Sequence, residues 1–156
     1  MINNERKSDI VRAEERVEKT ISLLDINKIN ISLWYTTSTK WENPQETVYS
    51  KIFNLIAPEL QVGKSTEQIC RFIGIMINPD NSKSLKDPWA IPSNTLRTIM
   101  TDFTIMGIIK VINPNKADRI EVWEISEFGR TVHAKYRMRM LEKNYSKEEN
   151  VVPRAT

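Results

Sequence analysis

SNTLRTIMTDFTIMGIIKVINPNKADRIEVWEISEFGRTVHAKYRMRML, residues Ser93 to Leu141, is the stretch whose reading decides the fold of this chain. Within it Leu96, Ile99, Met100 and Phe103 fall at i, i+3, i+4 and i+7, which at about 3.6 residues per turn makes one apolar stripe. Ser93 to Met106 is therefore expected to be a helix capped by Ser93 and closed by Gly107. Asn94, Arg97, Thr98 and Thr101 share its opposite face. The β-branched runs Ile108 to Ile112 and Arg119 to Ile125 flank Asn113-Pro114-Asn115-Lys116-Ala117-Asp118, the pattern of a hairpin with a polar tip. Ser126 then caps a last, basic helix whose Val132, Tyr136 and Met140 are expected to face inward.

Upstream, Asn43-Pro44-Gln45-Glu46 carries a start signal of cap, N1 proline and N3 glutamate. It predicts a helix from Pro44 to Ala57 that buries Val48, Ile52, Leu55 and Ile56 and stops at Pro58. Ser65-Thr66-Glu67-Gln68 matches a capping box ahead of a second stripe, Ile69, Phe72, Ile73 and Met76. Asn78 to Pro92 is turn-rich, with Trp89 placed to anchor it and Lys83 and Lys86 placed to extend a cationic surface. Ile29, Ile31, Leu33 and Tyr35 alternate with polar residues and Trp34, as in a short strand. Asn4 to Leu24 is a charged helix with Ile10, Val17, Ile21 and Leu24 along one side, interrupted by Glu14. That seam is either packed on its own domain or half of a homodimer interface, being too short for a self-sufficient coiled coil. Residues 144–156 are polar and expected to be disordered. The organisation expected is a helical extension over 1–42, a mainly α domain with a small β-hairpin over 43–143, and a tail.

The chain has 156 residues and 23 basic against 20 acidic side chains, so any strongly positive surface has to come from local clustering. Cys70 and His133 are the only residues of their kinds, which excludes an intrachain disulfide and leaves too few soft ligands for a structural zinc site. No apolar run approaches the roughly 18 to 20 residues that span a bilayer, and a cytoplasmic location without a membrane partner is expected. Val62-Gly63-Lys64-Ser65-Thr66 looks like the end of a phosphate-binding loop, but Pro58 stands where its leading glycine belongs. Asp118, Glu121 and Glu124 lack the following lysine of a nuclease metal site. No catalytic constellation and no cofactor motif is apparent, and Cys70 on an inward stripe reads as a core thiol.

The polar surfaces carry more. Asn and Arg can pair bidentately with base edges, and Ser or Thr can reach bases or phosphates. Ser93, Asn94, Arg97, Thr98 and Thr101 are thus candidate contacts to double-stranded DNA. Asn115, Lys116 and Arg119, beside Asn113 at the hairpin tip, suit backbone or minor-groove contact, and equally a solvated turn. Arg130, Lys135, Arg137, Arg139 and Lys143 cluster on the last helix, with Arg137 and Arg139 as candidate phosphate ligands; a solvated face is the competing reading.

Two local phrases resemble the winged helix-turn-helix superfamily. Leu96 to Ile109, ending Met106-Gly107-Ile108-Ile109, is similar to its third helix and the step into the wing. Trp123-Glu124-Ile125-Ser126-Glu127-Phe128-Gly129-Arg130 is similar to the lead into the helix after the wing. The resemblance implies a winged helix with an N-terminal helical extension that binds double-stranded DNA, as a bacterial or phage transcriptional regulator or a sequence-recognition subunit. It also implies an alternative, because the same fold serves as a protein-interaction adaptor in replication, defence or partition complexes. Asn78 to Pro92 departs from the usual turn of about 3 to 4 residues between second and third helices.

Overall fold

The computed structural model describes residues 2–35, 42–77, 89–112 and 121–151. The described elements are α1 (Ile2–Ile26), β1 (Lys28–Tyr35), β2 (Glu42–Val48), α2 (Tyr49–Ile56), a 3-10 turn at Glu59–Gln61, β3 (Lys64–Ser65), α3 (Thr66–Ile77), β4 (Trp89–Ala90), α4 (Ser93–Ile105), β5 (Ile109–Ile112), β6 (Val122–Ile125) and α5 (Glu127–Val151). The protein is mainly helical, and its described residues form two small antiparallel sheets ordered β2-β1-β4 and β3-β6-β5.

The expected strand at Ile29 to Tyr35 is present, and it redirects the segment C-terminal to it. Ile31 and Leu33 are fully buried, so β1 needs a hydrogen-bonding partner, and it takes residues 42–48 from Lys28↔Val48 to Leu33↔Glu42. The helix expected from Pro44 therefore begins only at Tyr49. The register shifts between Ile31 and Leu33, opposite Asn43 and Pro44, and β2 lies at the sheet edge. An edge bulge is where a strand tolerates a residue without an N–H. The cap signal at Asn43 was local; the strand pairing that overrode it is tertiary. On its other edge β1 pairs with β4, Tyr35↔Trp89 and Trp34↔Ala90, so the backbone around Trp89 is tied into the fold. Lys83, Lys86 and the rest of residues 78–88 lie outside the described residues.

The second stripe is turned from its expected setting. Ile69, Cys70, Ile73 and Ile77 are buried, Phe72 is half-buried and Met76 is 54% exposed. The cause is β4, whose flanking Ile91 donates its N–H to the Cys70 carbonyl (3.2 Å) and covers that side of α3. The capping box is formed as expected: Ser65 Oγ accepts the Gln68 N–H (3.2 Å) and Gln68 Oε1 accepts the Ser65 N–H (2.9 Å). Gly63 and Lys64 belong to the strand turn beside Val122, and α3 starts at Thr66.

α1 lays Val17, Ile21 and Leu24 into the core shared by α2, α3, α4 and α5. Three of the four seam residues are thus covered by their own chain, and Ile10 alone is left exposed. α5 buries Val132 fully and Tyr136 partly, but Met140, expected inward, is 44% exposed, because the helix has run past the core by Arg137. The helix also continues to Val151, where disorder was expected from residue 144. No described helix is long and apolar enough to cross a membrane.

Candidate nucleic-acid interface

α4 carries the face in question. Leu96, Ile99, Met100 and Phe103 are fully buried, and Phe103 meets Tyr49 and Phe53 edge-on at centroid distances of 5.3 and 5.8 Å. The Tyr49 hydroxyl donates to Asp102 Oδ2 across the α2–α4 contact. Burial, and then that hydrogen bond and the carboxylate charge, push the Tyr49 phenol well above its ordinary pKa. These contacts fix the helix by its inner side. Ser93, Asn94, Arg97, Thr98 and Thr101 consequently face outward and are exposed. Ser93 is the first helical residue and not the cap: Pro92 holds that position in extended conformation, its carbonyl accepting the Leu96 N–H at 3.0 Å. Thr98 Oγ1 donates to the Asn94 carbonyl (3.1 Å).

The far end of α4 is locked to the hairpin and to α5. Gly107 adopts φ +78°, with its N–H on Thr104 O and the Ile108 N–H on Phe103 O, the paired bonds of a Schellman stop. Ser126 Oγ donates to Gly107 O (2.5 Å) and accepts the Gly129 N–H (2.9 Å), so one side chain ends α4 and caps α5. Gly129 passes so close to the Ile108 carbonyl that no Cβ fits between them. The Arg16 guanidinium of α1 lies 3.9 Å above the Phe128 ring at this joint.

The hairpin is antiparallel, Ile109↔Ile125 to Ile112↔Val122, and Glu121, at the loop end of its second strand, touches the polar face of α4. Arg97 Nε is 3.5 Å from Glu121 Oε2, and Thr66 Oγ1 donates to the same oxygen (3.2 Å). The Trp123 indole N–H donates to Thr66 Oγ1 (3.0 Å). Sequence reasoning missed this chain of contacts, which joins residues far apart in the chain. The hairpin tip, with Asn113, Asn115, Lys116 and Arg119, lies outside the described residues, as does Asp118 of the acidic trio.

The cationic cluster on α5 is divided. Arg139 is paired to Glu18 of α1 through both carboxylate oxygens (2.5 and 2.6 Å), and Arg130 donates to Gln61 Oε1 (2.9 Å). Lys135 borders a groove between α1 and α5. Arg137 and Lys143 are exposed. Of the two expected phosphate ligands, then, Arg137 stands in solvent while Arg139 joins two helices, a pairing that no local pattern could reveal because its partner is far away in sequence.

His133 Nδ1 is 3.1 Å from Asn54 Oδ1, and Asn54 gives its own amide N–H to Ser50 O (2.9 Å). The imidazole must therefore donate to Asn54. Burial, and then the Arg137 charge, lower its pKa. Burial pushes the Cys70 thiol up to about 11, against the opposing pull of Arg97, so it stays protonated in the core. Among the described residues no group of three or more His, Cys, Asp or Glu side chains could hold a metal ion. Comparison with protein-family models, curated proteins and solved structures returned no match.

Proposed function

We propose that this chain is a winged helix that binds double-stranded DNA with α4 in the major groove, as a regulator or a sequence-recognition subunit. The observation that carries the reading is the outer face of α4: Asn94, Arg97, Thr98 and Thr101 are all exposed, on a helix whose inner face is fully buried, beside the second strand of a hairpin. Short polar side chains with one arginine match the donors and acceptors of base edges. The run α2, β3, α3, α4, β5, β6, with β3 pairing to the second hairpin strand, supports the same reading.

The reading includes a homodimer, which would present two recognition helices to neighbouring half-sites. Its support is no longer the seam on α1. It is the exposed stripe Ala134, Met138, Leu141 and Tyr145 at helical spacing on α5, together with Ile10 on α1.

Selection from a random duplex pool, followed by anisotropy titration of the enriched sequence, tests the proposal. Arg97→Ala should cost about 1 to 3 kcal/mol on the enriched duplex and relax its sequence preference. Absence of enrichment by the wild-type chain would refute DNA reading. In that event a protein-interaction module becomes the better account, favoured by Ile105, which stands 80% exposed at the end of α4.

A further inference from the structure

Glu121 sits immediately before β6 and touches two side chains that are held very differently. Thr66 opens α3, and its hydroxyl oxygen accepts the N–H of the buried Trp123 indole, which leaves its own proton for the Glu121 carboxylate. The carboxylate is thus aimed by a group that a core aromatic holds in place. Arg97 approaches from the exposed face of α4 on a long stem, 57% exposed, and would otherwise sample many rotamers. The contact uses Nε. The closest approach is thus not at the two terminal amino groups, which form the fork that matches O6 and N7 of a guanine.

We infer that Glu121 is a positioning residue for base reading, holding Arg97 by Nε so that its terminal fork is presented to a guanine in the major groove. This rests on the DNA reading of α4 and names what that face reads. An arginine already ordered in the free protein loses less freedom on binding, an advantage of about three- to tenfold for one long side chain. The advantage falls only on a duplex that offers the guanine. A carboxylate merely facing phosphates would do the opposite, weakening binding to every sequence alike.

The test is a cycle of wild type, Glu121→Gln, Arg97→Ala and the double variant, titrated by anisotropy against the duplex selected by the wild-type chain and a scrambled duplex of equal composition. Glu121→Gln should weaken binding to the selected duplex three- to tenfold, leave the scrambled duplex no weaker, and lose its effect on selectivity in the Arg97→Ala background. Thr66→Val, which removes the aiming hydroxyl, should move selectivity in the same direction by less. Circular dichroism and Trp fluorescence establish that each variant is folded. Equal gains on both duplexes would reduce Glu121 to a repulsive charge, and unchanged selectivity, or an effect that persists without Arg97, would overturn the positioning role while DNA binding stands. If the wild-type chain binds neither duplex, the DNA reading and the positioning role fall together.

Discussion

Gly129→Ala is expected to cost this protein more stability than any single change on the exposed face of α4. A Cβ at position 129 would stand 1.9 Å from the Ile108 carbonyl oxygen and 2.8 Å from both the Ile108 carbonyl carbon and Ile125 Cγ1, where real contacts stay above 3.0 Å. The close neighbour is backbone, which cannot rotate away, so α5 or the start of the hairpin must move by roughly 1 Å in a close-packed region. Two opposing effects decide the outcome. Alanine is better than glycine inside a helix by about 1 kcal/mol, whereas overpacking costs about 1 to 3 kcal/mol and occasionally more. Displacing the Ile108 carbonyl also strains the Ser126 N–H bond it accepts (3.1 Å) and, through the same residue, the cap on Gly129. Each of these is worth about 1 kcal/mol. The net expectation is a loss of about 2 to 4 kcal/mol, a large part of a typical stability of about 5 to 15 kcal/mol. Urea unfolding of wild type and variant, followed by Trp fluorescence, reads it as a lower midpoint at unchanged slope. A neutral or stabilised variant would show that helix propensity outweighs the contact and that α4, hairpin and α5 are not clamped at this point.

His133 should make stability depend on mild acid. Its folded pKa lies below the ordinary value of about 6.5, so the unfolded chain takes up the proton first as pH falls. The contribution is present above about pH 6.5 and drains away as the pH falls through the folded pKa. The urea midpoint should drop between neutral and mildly acid solution, and less so in His133→Gln; equal drops in both proteins would assign the effect elsewhere. For the homodimer, sedimentation velocity of the full chain should give a dimer that Met138→Glu with Leu141→Glu converts to monomer without loss of helicity. A wild-type monomer at assay concentration removes that interface.

Much of the core was legible because helices announce themselves through periodicity and caps. The stripe on α4, the capping box of α3, the Gly107 stop, the Ser126 cap and the hairpin strands all depend on residues close together in the chain, and each is found where local spacing puts it. Asn94, Arg97, Thr98 and Thr101 were legible on an outer face for the same reason: a buried stripe determines its own opposite.

What local pattern could not decide were the features set by partners remote in sequence. Asn43-Pro44 is a sound helix start, yet β1 required a ladder partner and drew residues 42–48 into a strand. The apolar side of α1 served the shared core instead of a second chain, because α2 and α5 were there to cover it. Arg139 was claimed by Glu18, and Arg97 by Glu121, through ion pairs between different elements. Propensity acts over a few residues, whereas unpaired backbone groups, buried area and charge pairing are settled only when distant segments meet. The residues of the α4 face were therefore written in the sequence alone, and the side chain that pairs with its arginine was decided by the tertiary structure.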